Sequence, residues 1–225
     1  MATVETPEKQ NNPGEQRTRR VTYPTSDGKP MAETREHREA MTYAIQALEV
    51  LLADTEDVWV SGNDFVYYQE GDPARRVAPD CYVVFGVPRR PRTAFKVWEE
   101  GGRTPNVVWE FTSRKTERQD REEKFDLYEQ TLRVPEYFLF DPLNQYLRPR
   151  LQGYRLTDGV YRAIPIAEDG TLESRETGIR MYAEGALLRF VDPRTGEPVK
   201  TRAEAEAEIA RLRAELERLR QGPTG

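Results

Sequence analysis

Two carboxylates lie in apolar, strand-like stretches of this sequence, where acidic residues are uncommon. Asp80 occurs in "VAPDCYVVF", and Glu110 lies between two aromatic residues in "VVWEFT". Because side chains alternate along a strand, Glu110 shares a face with Val108 and Thr112, not with its aromatic neighbours. Burying a carboxylate is costly unless its charge is compensated. The sequence therefore predicts a cation, either a metal or a lysine, beside these acids.

A lysine in the next segment meets this requirement. Residues 117–132 predict a helix whose apolar stripe consists of Phe125, Tyr128 and Leu132. Lys124 lies at the edge of that stripe, with Asp120 one turn earlier. The helix follows Glu110 directly, so it can fold back over the strand and bring Lys124 toward the carboxylates. Two acids and a lysine suit a magnesium or manganese ion that activates water, and a structural ion pair is the alternative interpretation.

The elements around these residues predict a mixed α and β fold. A helical pattern begins at Thr34, and the stretch 58–69 predicts two strands joined by a hairpin-type turn at 61–64. A further strand is expected at 77–85. A continuous apolar run at 136–141 suits a central strand covered on both faces. "DG" at Asp158–Gly159 predicts a second hairpin, and an apolar patch at 186–191 closes the globular part.

The order of these motifs resembles the PD-(D/E)XK nuclease superfamily. "PD" at Pro79–Asp80 is followed thirty residues later by "EFTS", then by Asp120, Lys124 and Tyr128, and then by "VPEYFLFDP". Within the superfamily, the chain resembles the bacterial Uma family of restriction-endonuclease-like proteins over roughly residues 30–190. The resemblance implies an α/β (α+β) fold: a restriction-endonuclease-like mixed central sheet flanked by helices.

The resemblance also implies a site. Asp80 and Glu110 would ligate Mg (or Mn), the backbone carbonyl of Phe111 would join them, and DNA would be the substrate. The superfamily pattern has a lysine two residues after the glutamate, but Thr112 occupies that position here. Lys124 is therefore expected as the catalytic lysine beside Asp80 and Glu110. Lys115, in the turn before the helix, is its rival.

Other polar residues are candidates for supporting roles. An acid from the first helix often completes such sites, and the possible additions are Glu36, Glu39, His37, Ser113 and Asp120. His37 has a structural role as its alternative, and Ser113 has helix capping.

One stretch of the chain, "VPRRPRTAFK", is clearly basic. Its arginines Arg89, Arg90 and Arg92 are candidates for phosphate contacts, with a solvated loop as the alternative. Three further arginines are expected near the site: Arg114, Arg118 and Arg121.

Composition limits the class of protein. The chain has 225 residues, a formal net charge of -5, one Cys and one His. These numbers disfavour a thiolate metal site, an internal disulfide and tight nonspecific DNA binding. No apolar run is long enough to predict a membrane span or a secretory signal, so no membrane partner and a cytoplasmic location are expected.

The predicted organisation has three parts. Residues 1–24 are polar and predict a disordered leader, residues 30–192 form the nuclease domain, and residues 200–221 form a C-terminal coiled-coil helix. The last of these has Ala205, Ile209, Leu212, Leu216 and Leu219 at spacings of four and three. It could pair with a second copy in a homodimer, with a partner helix, or fold back.

These observations favour a metal-dependent endonuclease that hydrolyses DNA phosphodiester bonds. One alternative is a binding or adaptor protein that keeps the nuclease fold and acts through the coiled-coil tail with little or no cleavage. Another is a nuclease that acts on RNA or damaged DNA.

Overall fold

Twelve strands build the described part of the protein, a computed structural model that covers residues 21–26, 28 and 34–221. In chain order they are β1 (Val58–Ser61), β2 (Val66–Tyr67), β3 (Arg76–Val77), β4 (Cys81–Phe85), β5 (Phe95–Lys96), β6 (Val107–Phe111), β7 (Glu136–Phe140), β8 (Leu151–Thr157), β9 (Val160–Ala163), β10 (Leu172–Glu173), β11 (Arg180–Glu184) and β12 (Leu187–Val191).

Three helical regions accompany the strands. Helix α1 spans Arg35–Leu51 and begins at Thr34, whose side chain accepts a hydrogen bond from the backbone N–H of His37. Residues 119–131 form the crossover helix, in which π-helical turns flank the short α2 (Lys124–Asp126). Helix α3 spans Arg202–Gln221. A 3₁₀ turn covers Val97–Glu100. None of the helices in the described ranges combines the length and apolar character needed to cross a bilayer.

The central sheet has six strands in the order β1-β4-β6-β7-β8-β9. Its neighbours pair antiparallel, except that β6 and β7 run parallel. Parallel neighbours need a crossover connection, and the crossover helix supplies it. Two small sheets lie outside this one, in the orders β10-β11-β12 and β3-β2-β5. The predicted mixed α and β class is confirmed.

Side chains of alternate residues enter two separate cores on the two faces of the central sheet. Val107, Trp109 and Phe111 of β6 lie in a core with α1 and the β10-β11-β12 sheet. Val108 lies in the other core, with Tyr128 of the crossover helix. The alternation predicted for β6 is therefore confirmed, and every residue of this strand is buried.

Two local predictions have different outcomes. The hairpin at Asp158–Gly159 is confirmed, because β8 and β9 pair antiparallel across it. The hairpin at 58–69 is wrong: β1 pairs with β4, whereas β2 pairs with β3 and β5 in another sheet. Asn63 has a left-handed backbone, and its N–H donates to the carbonyl of Pro79, so the loop runs beside β4 and does not return along β1.

The chain ends differ in how they relate to the globular part. Most of the predicted leader, residues 1–20, lies outside the described residues. At its end, Tyr23 packs edge-on against Tyr67 and Pro24 accepts a hydrogen bond from the Tyr67 hydroxyl. The tail segment is helical as α3, with no buried residue.

Candidate active site

Glu110 occupies the centre of a buried polar cluster on β6. Its side chain has no exposed surface. Lys124 Nζ donates to its Oε2 at 2.8 Å, and the Tyr128 hydroxyl donates to its Oε1 at 2.8 Å. The carboxylate thus has one charged and one neutral donor, which is the compensation that a buried acid requires.

Asp80 reaches the same cluster from the start of β4. Its Oδ2 accepts the backbone N–H of Phe111 at 2.8 Å and lies 3.2 Å from His37 Nε2. Its own N–H lies 3.3 Å from Glu110 Oε2. Because β4 and β6 are hydrogen-bonded neighbours, the pairing of these two strands brings the two acids together.

The crossover helix contributes three residues at a spacing of four. Asp120 Oδ1 lies 3.1 Å from Lys124 Nζ, and Tyr128 follows one turn later. Tyr137 of β7 donates to the Asp120 backbone carbonyl at 2.9 Å and holds this part of the helix against the sheet. Lys124 itself is α-helical, but it lies between two π-helical turns, a backbone geometry that is rare in proteins and frequent at functional sites.

Burial and charge shift the titration of these groups. Burial raises the pKa of Glu110 well above its usual value, although the charge of Lys124 opposes the rise. Burial also raises the pKa of Asp120. For Asp80, burial acts upward, but the hydrogen bond with His37 and the charge of Lys124 outweigh it and leave the pKa lowered.

Lys124 is held in its charged form. Burial alone would lower its pKa, but the charges of Glu110, Asp120 and Asp80 outweigh burial and raise the pKa above its usual value. A lysine with a raised pKa stays protonated at neutral pH, so it acts as a fixed positive charge and a hydrogen-bond donor.

The two candidate catalytic lysines, Lys124 and Lys115, differ in their distance from Glu110 and in their exposure. Lys124 lies against Glu110, with 13% of its side chain exposed. Lys115 is exposed, and no contact with either acid is found for it within the described residues. This geometry favours Lys124.

The residues predicted for supporting roles also differ in whether they lie near the two acids. His37 is buried beside Asp80. Glu39 is exposed and paired with Arg35 at 2.6 Å, and Glu36 lies half-buried on the same helix. Ser113 accepts the backbone N–H of Glu117 through its carbonyl at 2.8 Å, and its hydroxyl lies 3.1 Å from that of Thr116. These contacts favour a turn role for Ser113.

The three arginines predicted to contact phosphate, Arg89, Arg90 and Arg92, differ in their exposure. Arg89 donates to the carbonyl of Leu52 at the end of α1. Arg92 is buried, with 3% of its side chain exposed, and forms a two-pronged pair with Glu100, which Arg90 also contacts. All three guanidinium groups have partners within the protein. Burial favours a structural role for Arg92, whereas Arg89 and Arg90 are exposed and their phosphate contacts stay a prediction. A sequence cannot show these pairings, because the partners lie elsewhere in the chain.

Two other arginines expected near the site form surface ion pairs. Arg118 contacts Glu122, and Arg121 contacts Glu117. Arg114 is exposed at the start of the crossover.

The helical pattern of the sequence predicts Tyr128 as a core residue. It is buried, but its hydroxyl also bonds the central carboxylate. The spacing of four from Lys124, and the need of a buried phenol for a hydrogen-bond partner, are the signals that could have identified it.

Comparison with known proteins agrees with the motif order. Residues 8–184 match the model of the Uma2 family, described as "Putative restriction endonuclease". One solved structure, described as a "putative nuclease belonging to DUF820" from Anabaena variabilis, has 15% sequence identity and a TM-score of 0.48. The match covers 67% of this chain and 77% of that one. No curated protein matches the chain. Since the family model spans most of the 225 residues, the chain belongs to the Uma2 family.

Proposed function

We propose that this protein is a metal-dependent endonuclease that hydrolyses phosphodiester bonds in DNA. The observation that carries the proposal is the convergence of Asp80 and Glu110 from neighbouring strands, with Lys124 Nζ at 2.8 Å from Glu110 Oε2. Family membership supports nuclease chemistry in general. The acids and the lysine support the specific mechanism.

The donor set fits a hard divalent cation. Three carboxyl groups (Asp80, Glu110 and Asp120) lie near one lysine, and burial raises the pKa of Glu110 and Asp120, so a bound cation would stabilise their ionised forms. Carboxylate oxygens are the ligands that magnesium and manganese prefer.

The cluster does not form a closed metal cage. No group of three or more His, Cys, Asp or Glu side chains within the described ranges is arranged to hold a metal. Magnesium usually keeps several waters and takes only one or two carboxylates. Asp80 and Glu110, with the Phe111 carbonyl, would hold it, and it would supply an activated water and charge stabilisation at the phosphate.

Lys124 would position water or the phosphate. Because its raised pKa keeps it protonated, it is suited to donate hydrogen bonds and is not suited to remove a proton. An ammonium group has three donors. One is directed at Glu110 and one lies near Asp120, which leaves the third for a water or a phosphate oxygen.

His37 and Tyr128 would act through the acids. His37 and the Phe111 N–H fix one oxygen of Asp80, and Tyr128 fixes the Glu110 oxygen that Lys124 does not contact. Both residues would keep the carboxylates in a fixed orientation, as supporting hydrogen bonds do at metal sites.

The test compares cleavage of supercoiled plasmid and single-stranded DNA with magnesium, with manganese and with a chelator. Glu110→Gln and Asp80→Asn should each lower the rate by about a hundredfold or more. Asp54→Asn, an exposed acid remote from the cluster, is the control. Circular dichroism of each variant would establish that the fold is retained.

The opposite outcome would support a different function. Cleavage that is unchanged by both substitutions would contradict the assignment of Asp80 and Glu110 to the active site. A folded wild-type protein that cleaves neither substrate with either metal would contradict the endonuclease. The exposed apolar residues of α3 would then favour the adaptor alternative.

A further inference from the structure

We propose that α3 pairs with α3 of a second copy of this chain, in a parallel, two-stranded coiled coil. Four large apolar side chains of this helix are exposed by about half or more: Ile209, Leu212, Leu216 and Leu219. They recur at spacings of three and four residues along one stripe. No element of the described chain covers them, since no residue of α3 is buried.

The start of α3 is fixed to the globular part. Thr201 and Glu204 form a reciprocal capping box: Thr201 N–H donates to Glu204 Oε2 at 2.6 Å, and Glu204 N–H donates to Thr201 Oγ1 at 3.2 Å. Arg189 of β12 adds two hydrogen bonds to the Glu204 carboxylate, each 3.1 Å. The helix therefore leaves the domain in a defined direction and presents its stripe beyond it.

The residues of the stripe favour two strands. With Ile209 and Leu216 at the a positions of the heptad, Leu212 and Leu219 occupy the d positions. A β-branched residue at a and leucine at d favour parallel dimers over trimers and tetramers. Three of these four positions satisfy the rule, and Leu216 is the exception.

The charges beside the stripe select both the partner and its orientation. The g positions are Glu208 and Glu215, and the e positions that follow them by five residues are Arg213 and Arg220. In a parallel pair, each g residue faces the e residue five positions later on the other helix. Every such contact between two copies of this chain would join a glutamate to an arginine.

An antiparallel pair would have the opposite electrostatics. There g faces g and e faces e, so Glu208 and Glu215 would face each other, and the arginines would face arginines. Like charges at these positions are destabilising. Glu208 also contacts Lys200 of its own chain, and such an exposed contact is weak enough to be shared or exchanged.

The first test measures molar mass by light scattering over a wide concentration range. Wild type should form a reversible dimer. Leu212→Glu with Leu216→Glu should abolish it, while Ala207→Glu with Ala214→Glu, on the opposite side of α3, should leave it intact. A wild type that stays monomeric at the highest concentration, or a dimer that survives loss of the two leucines, would overturn the proposal. A wild type that stays monomeric would indicate that the apolar stripe of α3 binds a different protein.

The second test concerns orientation. Glu208→Arg with Glu215→Arg should weaken the dimer about tenfold or more, because four attractive contacts become repulsive. Adding Arg213→Glu and Arg220→Glu should restore it. Leu219→Cys should oxidise to a covalent dimer, because d residues face each other in parallel pairs, while wild type, whose Cys81 is buried, should not. The parallel arrangement would be excluded if Glu208→Arg with Glu215→Arg left the affinity of the dimer unchanged. It would also be excluded if Leu219→Cys did not form a cross-linked dimer.

Discussion

Lys124 is the residue on which the interpretation of the site depends most directly. Its ammonium group lies between Glu110 and Asp120, and their charges keep its pKa raised despite burial. The sequence predicted its proximity to Glu110 from helical spacing alone. It did not predict Tyr128 as a second donor, because a buried tyrosine has the same pattern whether or not its hydroxyl is used.

Lys124→Met should lower DNA cleavage by about a hundredfold, because the site loses its fixed positive charge. Lys115→Met is a matched control, since it makes the same change on an exposed side chain, and it should stay within about twofold of wild type. Single-turnover cleavage rates of the two variants are the measurement. A larger loss in Lys115→Met would identify Lys115 as the important lysine, and equal losses would contradict a special role for Lys124.

The buried carboxyl group of Asp64 should make the stability of the protein depend on pH, and this effect does not involve the candidate active site. Burial raises its pKa from 3.8 to about 6, although a hydrogen bond from the Tyr82 hydroxyl at 3.1 Å opposes the rise. The folded protein thus binds a proton more tightly than the unfolded chain. This group's contribution to stability is complete below about pH 4 and is lost as the pH rises through about 6.

Asp64→Asn should remove the loss of stability that occurs as the pH rises through about 6. The variant should be more stable than wild type by about 1–3 kcal/mol at pH 7, and the two should converge near pH 4. Urea unfolding at a series of pH values measures the difference, with the exposed Asp54→Asn as the control. A stability difference that does not change with pH would show that Asp64 titrates normally.

At the scale of elements, the loop between β1 and β2 positions Asp80 by steric contact. A Cβ atom built on Gly62 would lie 2.1 Å from the Asp80 carbonyl oxygen and 2.8 Å from Ile45 Cδ1. Only glycine allows the loop to approach β4 so closely. The sequence showed this stretch as a turn, and the hairpin expected there is wrong because β2 has only two residues, too few for their side-chain pattern to specify a partner strand.

Gly62→Ala should displace the backbone at Asp80. We expect a loss of about 1–3 kcal/mol in stability, and a fall in cleavage by the folded protein of about a hundredfold, because a shift of roughly 1 Å at a catalytic group has that effect. Thermal unfolding and cleavage rates, corrected for the folded fraction, measure the two effects.

Gly153→Ala is the matched control. Its added methyl group would lie 2.7 Å from the Phe138 ring, in the core that packs against α1, on the sheet face opposite the Glu110 side chain. Stability should fall by a similar amount while the activity per folded molecule is retained. If both variants lose activity equally, Gly62 has no special relation to the site.

Other elements were easier or harder to predict for physical reasons. The buried strands β6 and β7 and the helix between them follow from long runs of apolar residues at regular spacing. The π-helical turns beside α2 do not, because an inserted residue changes the helical spacing without changing composition. The pairing of Arg92 with Glu100 depends on the path of the loop between them, which residue types alone do not specify.

At the scale of the whole molecule, a parallel tail would hold two domains at the same end of the coiled coil. Each α3 begins at a point fixed by Arg189 and Glu204, so the two domains would lie side by side. If both proposals hold, the dimer would bring two sites to the two strands of one duplex. The helical tail was predictable from its heptads, but its partner was not, because a stripe of leucines is compatible with several partners.

Deletion of residues 202–225 should therefore separate two activities. Cleavage of single-stranded DNA should remain within about twofold of wild type, because the contacts of the described part of α3 are with Arg189 and Lys200 and not with the acids. Plasmid cleavage should accumulate nicked circles at the expense of linear product. Gel analysis of the plasmid forms over time is the measurement, with Ala207→Glu plus Ala214→Glu as the control. An unchanged ratio of linear to nicked product would show that the tail does not coordinate the two strands.

The parallel pairing of β6 and β7 also affects how the protein folds. One continuous segment, residues 107–140, carries four residues of the cluster: Glu110, Asp120, Lys124 and Tyr128. Their side chains meet only when the crossover helix docks and β7 pairs beside β6. Closing a parallel pair requires the intervening chain to be ordered first, which makes it a slow step. A partly folded chain that has its central strands but lacks the docked crossover helix would therefore lack a complete site.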